Sequence, residues 1–418
     1  MNTLLLTVFI LGYIGIATES LIKINKAAIA LITGVSCWTI YILSMAGPET
    51  VVHQLIEHLG DISQIIFFLM GAMTIVELID SHHGFEVINK HINTKSKRGL
   101  LVIIALISFF LSSVLDNLTT TIVMVTLIQK LIQDKSDRLY FAGIIVIAAN
   151  AGGAWTPIGD VTTTMLWIGG QISTFKIMKG IFLPSLVSMM VPLILISFMV
   201  KGRFAKNTVN HAESFIPPFE MKLVLILGIT ALIFVPVFKT FTHLPPFMGM
   251  LIGLSVLWIV TEILHRKKED KRKITVSAAL KKIDIPSVLF FLGILIAVSA
   301  LESTGMLTGL ASSMNKMTGD LRVISLALGI LSSVIDNVPL VAAAMGMYDL
   351  QAYPMDHYFW ELIAYCAGTG GSILIVGSAA GVAAMGLEKI DFFWYLKKVS
   401  LIALAGYFSG AFIYILFH

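Results

Sequence analysis

A seven-residue motif occurs twice in this chain of 418 residues and constrains the fold more than any other feature. SSVLDNL at 112–118 and SSVIDNV at 332–338 are identical at five of seven positions and begin 220 residues apart. Each copy carries an Asp-Asn pair, Asp116-Asn117 and Asp336-Asn337, inside strongly apolar sequence. An ionisable side chain is costly in such a segment unless it faces a partner, a cavity or an ion. The motif therefore predicts an internal repeat with a charged site at its centre.

The apolar composition predicts a polytopic membrane protein. Hydrophobic residues make up 57% of the chain, charged residues 13%, and the mean hydropathy is +0.89, so the polar surface cannot coat a soluble protein of 45.6 kDa. The first apolar segment lacks a basic leader and a cleavage site, and it is interpreted as a spanning helix. Cys37 and Cys366 lie in apolar segments and are expected to be small core residues.

Segments of about 20 apolar residues predict the spans. They are expected at about 3–22, 27–46, 62–80 and 177–200 in the first half, and at about 221–238, 246–264, 285–304 and 393–417 in the second. A weaker apolar pattern at about 50–59 carries two His and two Glu nearby and is interpreted as a surface helix. His82 and His83, next to the third span, are expected in a solvated turn.

Two apolar stretches are interrupted at the motif and predict re-entrant hairpins. The first covers about 98–132 with its tip at 112–121, and each of its halves is expected to be too short to span; the second covers about 321–349 with its tip at 332–339. Asn117 and Asn337 are candidate N-caps of the second helix of each hairpin.

Each hairpin is followed by a span that is expected to be broken. AANAGGAWTPIGD interrupts the span at about 139–170, where Gly152-Gly153 and Pro157 are expected to preclude a continuous helix. AGTGGSILIVGSAAG interrupts the span at about 358–387. Aligning the two Gly-Gly pairs places Asp160 on Ser378, so the repeat is asymmetric at this position.

The charge distribution predicts the orientation. Five crossings and one hairpin are an odd number of passages, so the second half is expected to be inverted relative to the first. On this topology one side receives 24 of the 29 Lys and Arg residues, including Lys26, and is expected to be cytoplasmic. Both termini then lie outside. The basic run at 265–273 is interpreted as a solvated loop, and the polar stretch at 200–218 as the link between the halves.

The halves define the predicted domains. The first repeat covers 1–220, with scaffold spans at about 3–80 and transport elements at about 98–200. The second repeat covers 221–418, with scaffold spans at about 221–304 and transport elements at about 321–417.

The polar side chains at the tips and breaks are oxygen donors, which suit a hard cation such as Na+. No Arg or Lys is close in sequence to either tip, so none is expected at the site. A structural role for one intramembrane Asp is a reasonable alternative, but three at matched breaks favour ion binding. The candidate cation- and proton-binding residues are Asp116, Asn117, Thr119, Thr120, Asn150, Asp160, Thr162, Thr163, Asp336, Asn337 and Ser378.

The two tips and the block NAGGAWTPIGDVTTTMLW at 150–167 resemble the NhaD-type sodium/proton antiporters, within the ion-transporter superfamily that includes dicarboxylate and arsenite carriers. The resemblance covers essentially the whole chain. It implies an all-α, inverted-repeat fold, a homodimer with a scaffold and a mobile transport domain, and exchange of external protons for cytoplasmic Na+ or Li+ in a bacterial inner membrane. The functional positions that it implies are Asp116, Asn117, Asn150, Asp160, Thr162, Thr163, Asp336 and Asn337.

Two other functions are weighed against antiport. A sodium-coupled carboxylate or oxyanion carrier would be expected to carry neutral donors at its tips, where this chain has Asp-Asn. A channel or a membrane enzyme is a weaker alternative, since no His or Cys lies at the breaks to form a catalytic group. We expect no enzymatic activity, no cofactor and no nucleic-acid partner, with membrane lipid and a second copy of the chain as partners.

Overall fold

The computed structural model describes residues 2–44, 47–89, 94, 96–200, 202–203, 216–266 and 274–417. Helices make up 82% of the described residues, which contain no strand, only an isolated bridge between Ser96 and Arg203. Eight of the described helices are long and apolar enough to cross a membrane. The predicted all-α polytopic membrane fold is confirmed. The basic run at 267–273 and most of the polar link, 204–215, lie outside the described residues.

The helices of the first half follow the predicted order. They are α1 Asn2–Ala17, α2 Glu19–Ile22, α3 Lys26–Ser44, α4 Pro48–Ser81, α5 Glu86–Asn89, α6 Lys97–Leu115, α7 Asn117–Leu131, α8 Lys135–Ala154, α9 Val161–Ile168 and α10 Thr174–Met199.

The second half repeats this order, and two of its helices, α13 and α15, lie where none was predicted. Its helices are α11 Pro218–Thr242, α12 Pro246–His265, α13 Val276–Ala279, α14 Ile285–Ser303, α15 Met306–Thr318, α16 Leu321–Leu331, α17 Asn337–Met347, α18 Tyr358–Gly370, α19 Ala379–Glu388, α20 Phe392–Tyr395 and, after a π-helical turn at Leu396–Ser400, α21 Leu401–Phe417.

Three predictions about local structure were wrong. The pattern at 50–59 is not a separate surface helix, because α4 runs unbroken for 34 residues, about 51 Å, past the single Gly60. The first hairpin's leading helix, α6, has 19 residues and is long enough to span. The pair Gly152-Gly153 lies inside α8, and the break begins only at Trp155.

Gly152 and its counterpart in the second half, Gly370, allow close approach between helices. A Cβ added to Gly152 would lie 2.1 Å from the carbonyl oxygen of Phe109 in the first hairpin. A Cβ added to Gly370 would lie 2.0 Å from the carbonyl oxygen of Gly329 in the second hairpin. Phe109 and Gly329 each precede the repeated motif by three residues. The two hairpins therefore seat against their broken spans through the same contact.

The first hairpin returns to the end of the bundle at which it starts. Lys97, at the start of α6, pairs with Asp137, near the start of α8, and α7 ends only three residues before the N-cap of α8, Asp134. At the tip, the Ser112 hydroxyl donates to the carbonyl oxygen of Ala149 at 2.6 Å. Thus α6 and α8 run in the same direction, and α7 runs back between them.

The second hairpin is arranged in the same way around α18. The Arg322 guanidinium lies 5.7 Å from the Tyr358 ring at the start of α18, and the ring of Tyr348, just after α17, packs at a tilt 4.6 Å from that of Phe359. The Ser332 hydroxyl donates to the carbonyl oxygen of Ala367 at 3.0 Å, the counterpart of the first tip's contact.

The two broken spans run in opposite directions. Arg138, at the start of α8, pairs with Glu388, at the end of α19, at 3.0 Å. Ser173, beyond α9, donates its backbone N–H to Asp356, just before α18, at 2.6 Å. The first hairpin consequently starts at one end of the bundle, called here the basic end because Lys97, Lys130 and Lys282 lie there, and the second starts at the opposite end.

The helices pack in two groups. In one group α3 packs on α14, and α4 packs on α11, α12 and α14. In the other, α6, α7 and α8 pack together, α16 packs on α18, and α10 packs on α8 and α21. The smaller apolar core contains no buried residue from α1–α4 or α11–α14. Cys37 and Cys366 are free and buried, as predicted.

Candidate functional site

A cavity of about 80 Å³ lies between the two hairpin tips. This volume admits a few water molecules or a partly hydrated ion. Residues separated by more than 200 positions in the sequence share its wall. The polar lining residues are Lys26, Asp116, Asn117, Thr119, Asp160, Thr164, Ser287, Asp336 and Asn337.

Asp160 is the centre of the hydrogen-bond network at this cavity. Its Oδ1 accepts from the backbone N–H of Thr162 at 2.9 Å and from the Thr162 hydroxyl at 2.8 Å. Its Oδ2 accepts from Asn117 Nδ2 at 2.7 Å, and Asn337 Nδ2 lies 3.4 Å from both oxygens. The residue is only 2% exposed. The carboxylate thus joins both hairpin tips to the first broken span, and its buried oxygens are satisfied.

Four helix N-termini begin at the site. Asp116, Asp160, Asp336 and Ser378 are the N-caps of α7, α9, α17 and α19, and each side chain accepts a backbone N–H of its helix. The N-caps of the hairpins are therefore the aspartates, one residue earlier than the predicted Asn117 and Asn337. The positive ends of helix dipoles stabilise the three carboxylates in this apolar setting.

Asn150 links the two halves. Its Oδ1 accepts from Asn117 Nδ2 at 3.0 Å, and its own Nδ2 donates to the hydroxyls of Ser372 at 2.8 Å and Ser378 at 2.9 Å. Ser378, the repeat partner of Asp160, is thus placed in the same network but without a charge.

Lys26 is the charged residue at the site that the sequence reasoning missed. Its Nζ donates to Asp336 Oδ2 at 2.9 Å and lies 4.2 Å from the ring of Phe290. The expectation that no Lys lies near a tip was wrong, because it considered only residues close in sequence, and Lys26 is 310 positions from Asp336. The packing of α3 against α14 brings the start of α3 to the cavity.

Some predicted residues do not line the cavity. Thr120 is fully buried, and its hydroxyl has no hydrogen-bond partner among the described residues. The Thr163 hydroxyl donates to the backbone oxygen of Asp160 at 2.9 Å, and Thr162 acts through Asp160. Thr164, which was not among the candidates, does face the cavity and donates to the carbonyl oxygen of Pro157 at 2.9 Å.

The two tips differ in backbone conformation despite their matched sequences. Asp116 has φ 101° and ψ 157°, a region that essentially only glycine occupies without strain, whereas Asp336 has φ −48° and ψ 135°. Asp116 is held there by its own cap, because its two carboxylate oxygens accept from the backbone N–H and the hydroxyl of Thr119, both at 2.8 Å. The first tip therefore stores strain of about 1–3 kcal/mol.

We expect Asp116→Gly to be more stable than Asp116→Ala, because glycine adopts this conformation without strain. The gap between the two variants should be about 1–3 kcal/mol larger than the gap between Asp336→Gly and Asp336→Ala, where φ is ordinary. Thermal unfolding of the four purified variants in detergent measures it. Equal gaps at the two positions would contradict strain at the first tip.

Two larger cavities flank the central one. The cavity toward the basic end has a volume of about 390 Å³, is lined by Glu77, Asp80 and Lys282 among others, and shares Met73, Leu118 and Thr119 with the central cavity. The other, of about 440 Å³, is lined by Glu57, Asp61 and Glu302 and shares no lining residue with it. The central cavity is therefore more nearly connected to the basic end of the bundle than to the opposite end.

Comparisons with known proteins agree on one family. A family model described as citrate transporter matches residues 13–368. The chain is 51% identical over 413 residues to sodium/proton antiporter 1 of Arabidopsis thaliana, covering 98% of this chain and 71% of the relative. It is 46% identical to sodium/proton antiporter 2 of the same plant, covering 98% of each. The Na+/H+ antiporter NhaD of Vibrio cholerae is 31% identical, covering 96% of this chain and 88% of the relative.

Proposed function

The chain belongs to the citrate transporter family and, within it, to the NhaD-type sodium/proton antiporters, and from this premise we propose that the cavity between its hairpin tips is the exchange site for Na+ and H+. The observation that carries the proposal is the meeting of three carboxylates, Asp116, Asp160 and Asp336, with a single lysine, Lys26. With all four side chains ionised, the formal charge is −3 + 1 = −2. A site of this charge attracts cations.

Competition for the same oxygens is sufficient for exchange. The carboxylates can hold either Na+ or protons, so a site that faces the two sides of the membrane in turn exchanges one for the other. The hard oxygen donors of the aspartates and asparagines suit Na+ or Li+. We propose Asp116, Asp160 and Asp336 as the groups that change partner, with Asn117, Asn337 and Thr119 beside the ion. Asn150, Thr162, Thr163 and Ser378 hold this group in position through the contacts described above, and Thr120 supports it from within the buried core.

The packing of the helices in two groups supports a mechanism in which one group moves against the other. We propose that α1–α4 and α11–α14 form the scaffold and that α6–α10 and α16–α21 form the transport domain, giving repeats at 1–220 and 221–418. Alternating access is then of the elevator type. The opposed hairpins and the matched glycine contacts support inverted repeats. We also propose that two copies of the chain form a homodimer through their scaffold helices, surrounded by membrane lipid.

The alternative carrier of citrate or another carboxylate is less favoured by the site. Citrate carries several negative charges at neutral pH, and the only described cation on the cavity wall, Lys26, is already paired with Asp336. A carboxylate substrate would meet two further aspartates without a compensating cation. An arsenite anion would meet the same repulsion.

Proton movement in everted membrane vesicles tests the function. After an imposed acidification reported by a pH-sensitive dye, NaCl should restore the dye fluorescence within seconds. Choline chloride, choline citrate, choline succinate and arsenite at the same concentration should not. Recovery with citrate but not with NaCl would show that the protein is a carboxylate carrier.

The proposed orientation is tested by labelling single cysteines in a background without Cys37 and Cys366. We propose that the basic end is cytoplasmic, with both termini outside. A cysteine at Ser96 should then react with a membrane-impermeant maleimide only from the cytoplasmic side, and one at Ser173 only from outside. The reverse pattern would overturn the orientation. The expectation of a bacterial inner membrane stays a prediction, because the relatives come from both plants and bacteria.

A further inference from the structure

Three buried polar side chains meet at the basic end, away from the ion cavity. His82 follows α4, Glu220 lies in the first turn of α11, and His265 ends α12. Their exposed fractions are 0%, 3% and 8%. His82 was predicted to lie in a solvated turn, and this was wrong. None of the three lines the ion cavity or the two flanking cavities.

The hydrogen bonds determine which ring nitrogen of each neutral histidine carries the proton. His82 Nδ1 lies 2.7 Å from the carbonyl oxygen of Leu78, which can only accept, so Nδ1 is protonated and Nε2 has a lone pair. His265 Nε2 lies 2.6 Å from Glu220 Oε1 and shares a proton with it, so an ion that binds both groups would take the place of that proton. His265 Nδ1 is buried and has no hydrogen-bond partner in the part of the chain that the structure describes.

The two rings lie face to face. Their centroids are 5.2 Å apart and their planes differ by 10°. Imidazole binds a metal ion in its neutral form, so the bound ion would hold both rings uncharged. A backbone carbonyl that accepts from the non-ligating nitrogen, as Leu78 does for His82, is the usual support of a metal-binding histidine.

We infer that His82, Glu220 and His265 form a binding site for a divalent transition-metal ion, with Zn2+ as the best-suited probe. One ligand atom from each residue lies within 4.8 Å of the others. Two imidazoles and one carboxylate form a known zinc ligand set, with water in the fourth position, and imidazole nitrogen does not suit Na+. To reach zinc-binding distances of about 2.0–2.2 Å from a common centre, the ligand atoms would draw closer together and the two rings would turn out of their stacked arrangement.

The position of the site indicates what bound metal would do. The site joins the end of α4, in the first half, to α11 and α12, in the second half. All three helices belong to the group that packs around α4 and α14. A bound ion would therefore fasten the scaffold group across the two halves at the basic end, without contact with the transported ion.

Equilibrium dialysis of the purified, tag-free protein against Zn2+, followed by metal analysis, tests the site. The wild-type chain should bind one Zn2+ per chain with high affinity. His82→Ala and His265→Ala should each weaken binding about 100-fold, and Glu220→Gln should weaken it less. His83→Ala is the matched control, because His83 is the adjacent histidine and is exposed; it should bind as the wild type does.

Co2+ supplies a second readout that does not depend on comparing variants. Co2+ bound at the site should give the visible absorption of a four-coordinate nitrogen and oxygen site, and Zn2+ should displace it. Size-exclusion profiles identify any variant that fails to fold, and in that case the wild-type Co2+ spectrum decides. A wild type without this spectrum, or equal Zn2+ binding by folded His82→Ala, His265→Ala and His83→Ala, would overturn the inference.

Discussion

Replacing Asp160 with asparagine is expected to lower Na+-driven proton movement at least about 100-fold. The buried carboxylate receives hydrogen bonds from Thr162, Asn117 and Asn337 and supplies one of the cavity's negative charges. Asparagine keeps the shape but removes the charge and turns one acceptor into a donor that faces other amide donors. The loss of such a charged contact corresponds to about 3 kcal/mol, which is about 100-fold in binding.

Asp134→Asn is the matched control for this variant. Asp134 is also an N-cap whose Oδ1 accepts a backbone N–H two residues on, from Ser136 at 2.7 Å, but it is exposed and outside the cavity. Asparagine caps a helix about as well as aspartate, so both variants should fold. Dye recovery in everted vesicles, normalised to protein amount, measures the effect. Wild-type transport by Asp160→Asn would exclude this carboxylate from the exchange.

Replacing Lys26 with methionine is expected to cause the largest loss of stability among single changes at the cavity. The substitution keeps the apolar stem against Phe290 but leaves Asp336 without its cation, and the formal charge changes from −2 to −3. The two side chains are 28% and 17% exposed, so the cost is below that of a fully buried pair, at about 2 kcal/mol.

The double variant Lys26→Met/Asp336→Asn removes both charges and should recover most of the lost stability. Lys282→Met is the control, because Lys282 also donates to a carboxylate at 2.9 Å, that of Glu77, but is 54% exposed. An exposed pair contributes about 0–1 kcal/mol, so this control should unfold close to the wild type. The midpoint of thermal unfolding in detergent measures all four proteins. If the double variant were no more stable than Lys26→Met, the unpaired charge of Asp336 would not be the cause of the lost stability.

Local sequence was sufficient to predict the helix boundaries at which polar residues interrupt an apolar stretch. The repeated motif at Asp116 and Asp336 predicted where α6 ends and α7 begins, and where α16 ends and α17 begins. The break around Pro157 predicted the separation of α8 from α9. In a membrane interior, polar residues and interrupted backbone occur only where the protein itself satisfies them, so they mark such breaks. The Gly152-Gly153 pair was assigned to the break because glycine both weakens a helix and admits a close neighbour. Only the position of Phe109 in space distinguishes the two roles.

The remainder of the site depends on contacts between distant parts of the chain. Lys26 carries no local sign of its role, since a lysine at the start of a span is ordinary and its partner follows 310 residues later. The strained backbone of Asp116 is equally hidden, because Asp336 lies in a nearly identical motif and has an ordinary conformation. His82, Glu220 and His265 come together only through the ends of three helices.

Proton release on Na+ binding tests most directly the central claim that Na+ and H+ compete for the same carboxylates. NaCl is added to the purified protein in weakly buffered detergent solution, and the pH is followed with choline chloride as the reference. The wild type should release protons in proportion to the Na+ bound, and Asp160→Asn should release fewer or none. Na+ binding by the wild type without proton release, over the whole range from pH 6 to 9, would contradict the shared site.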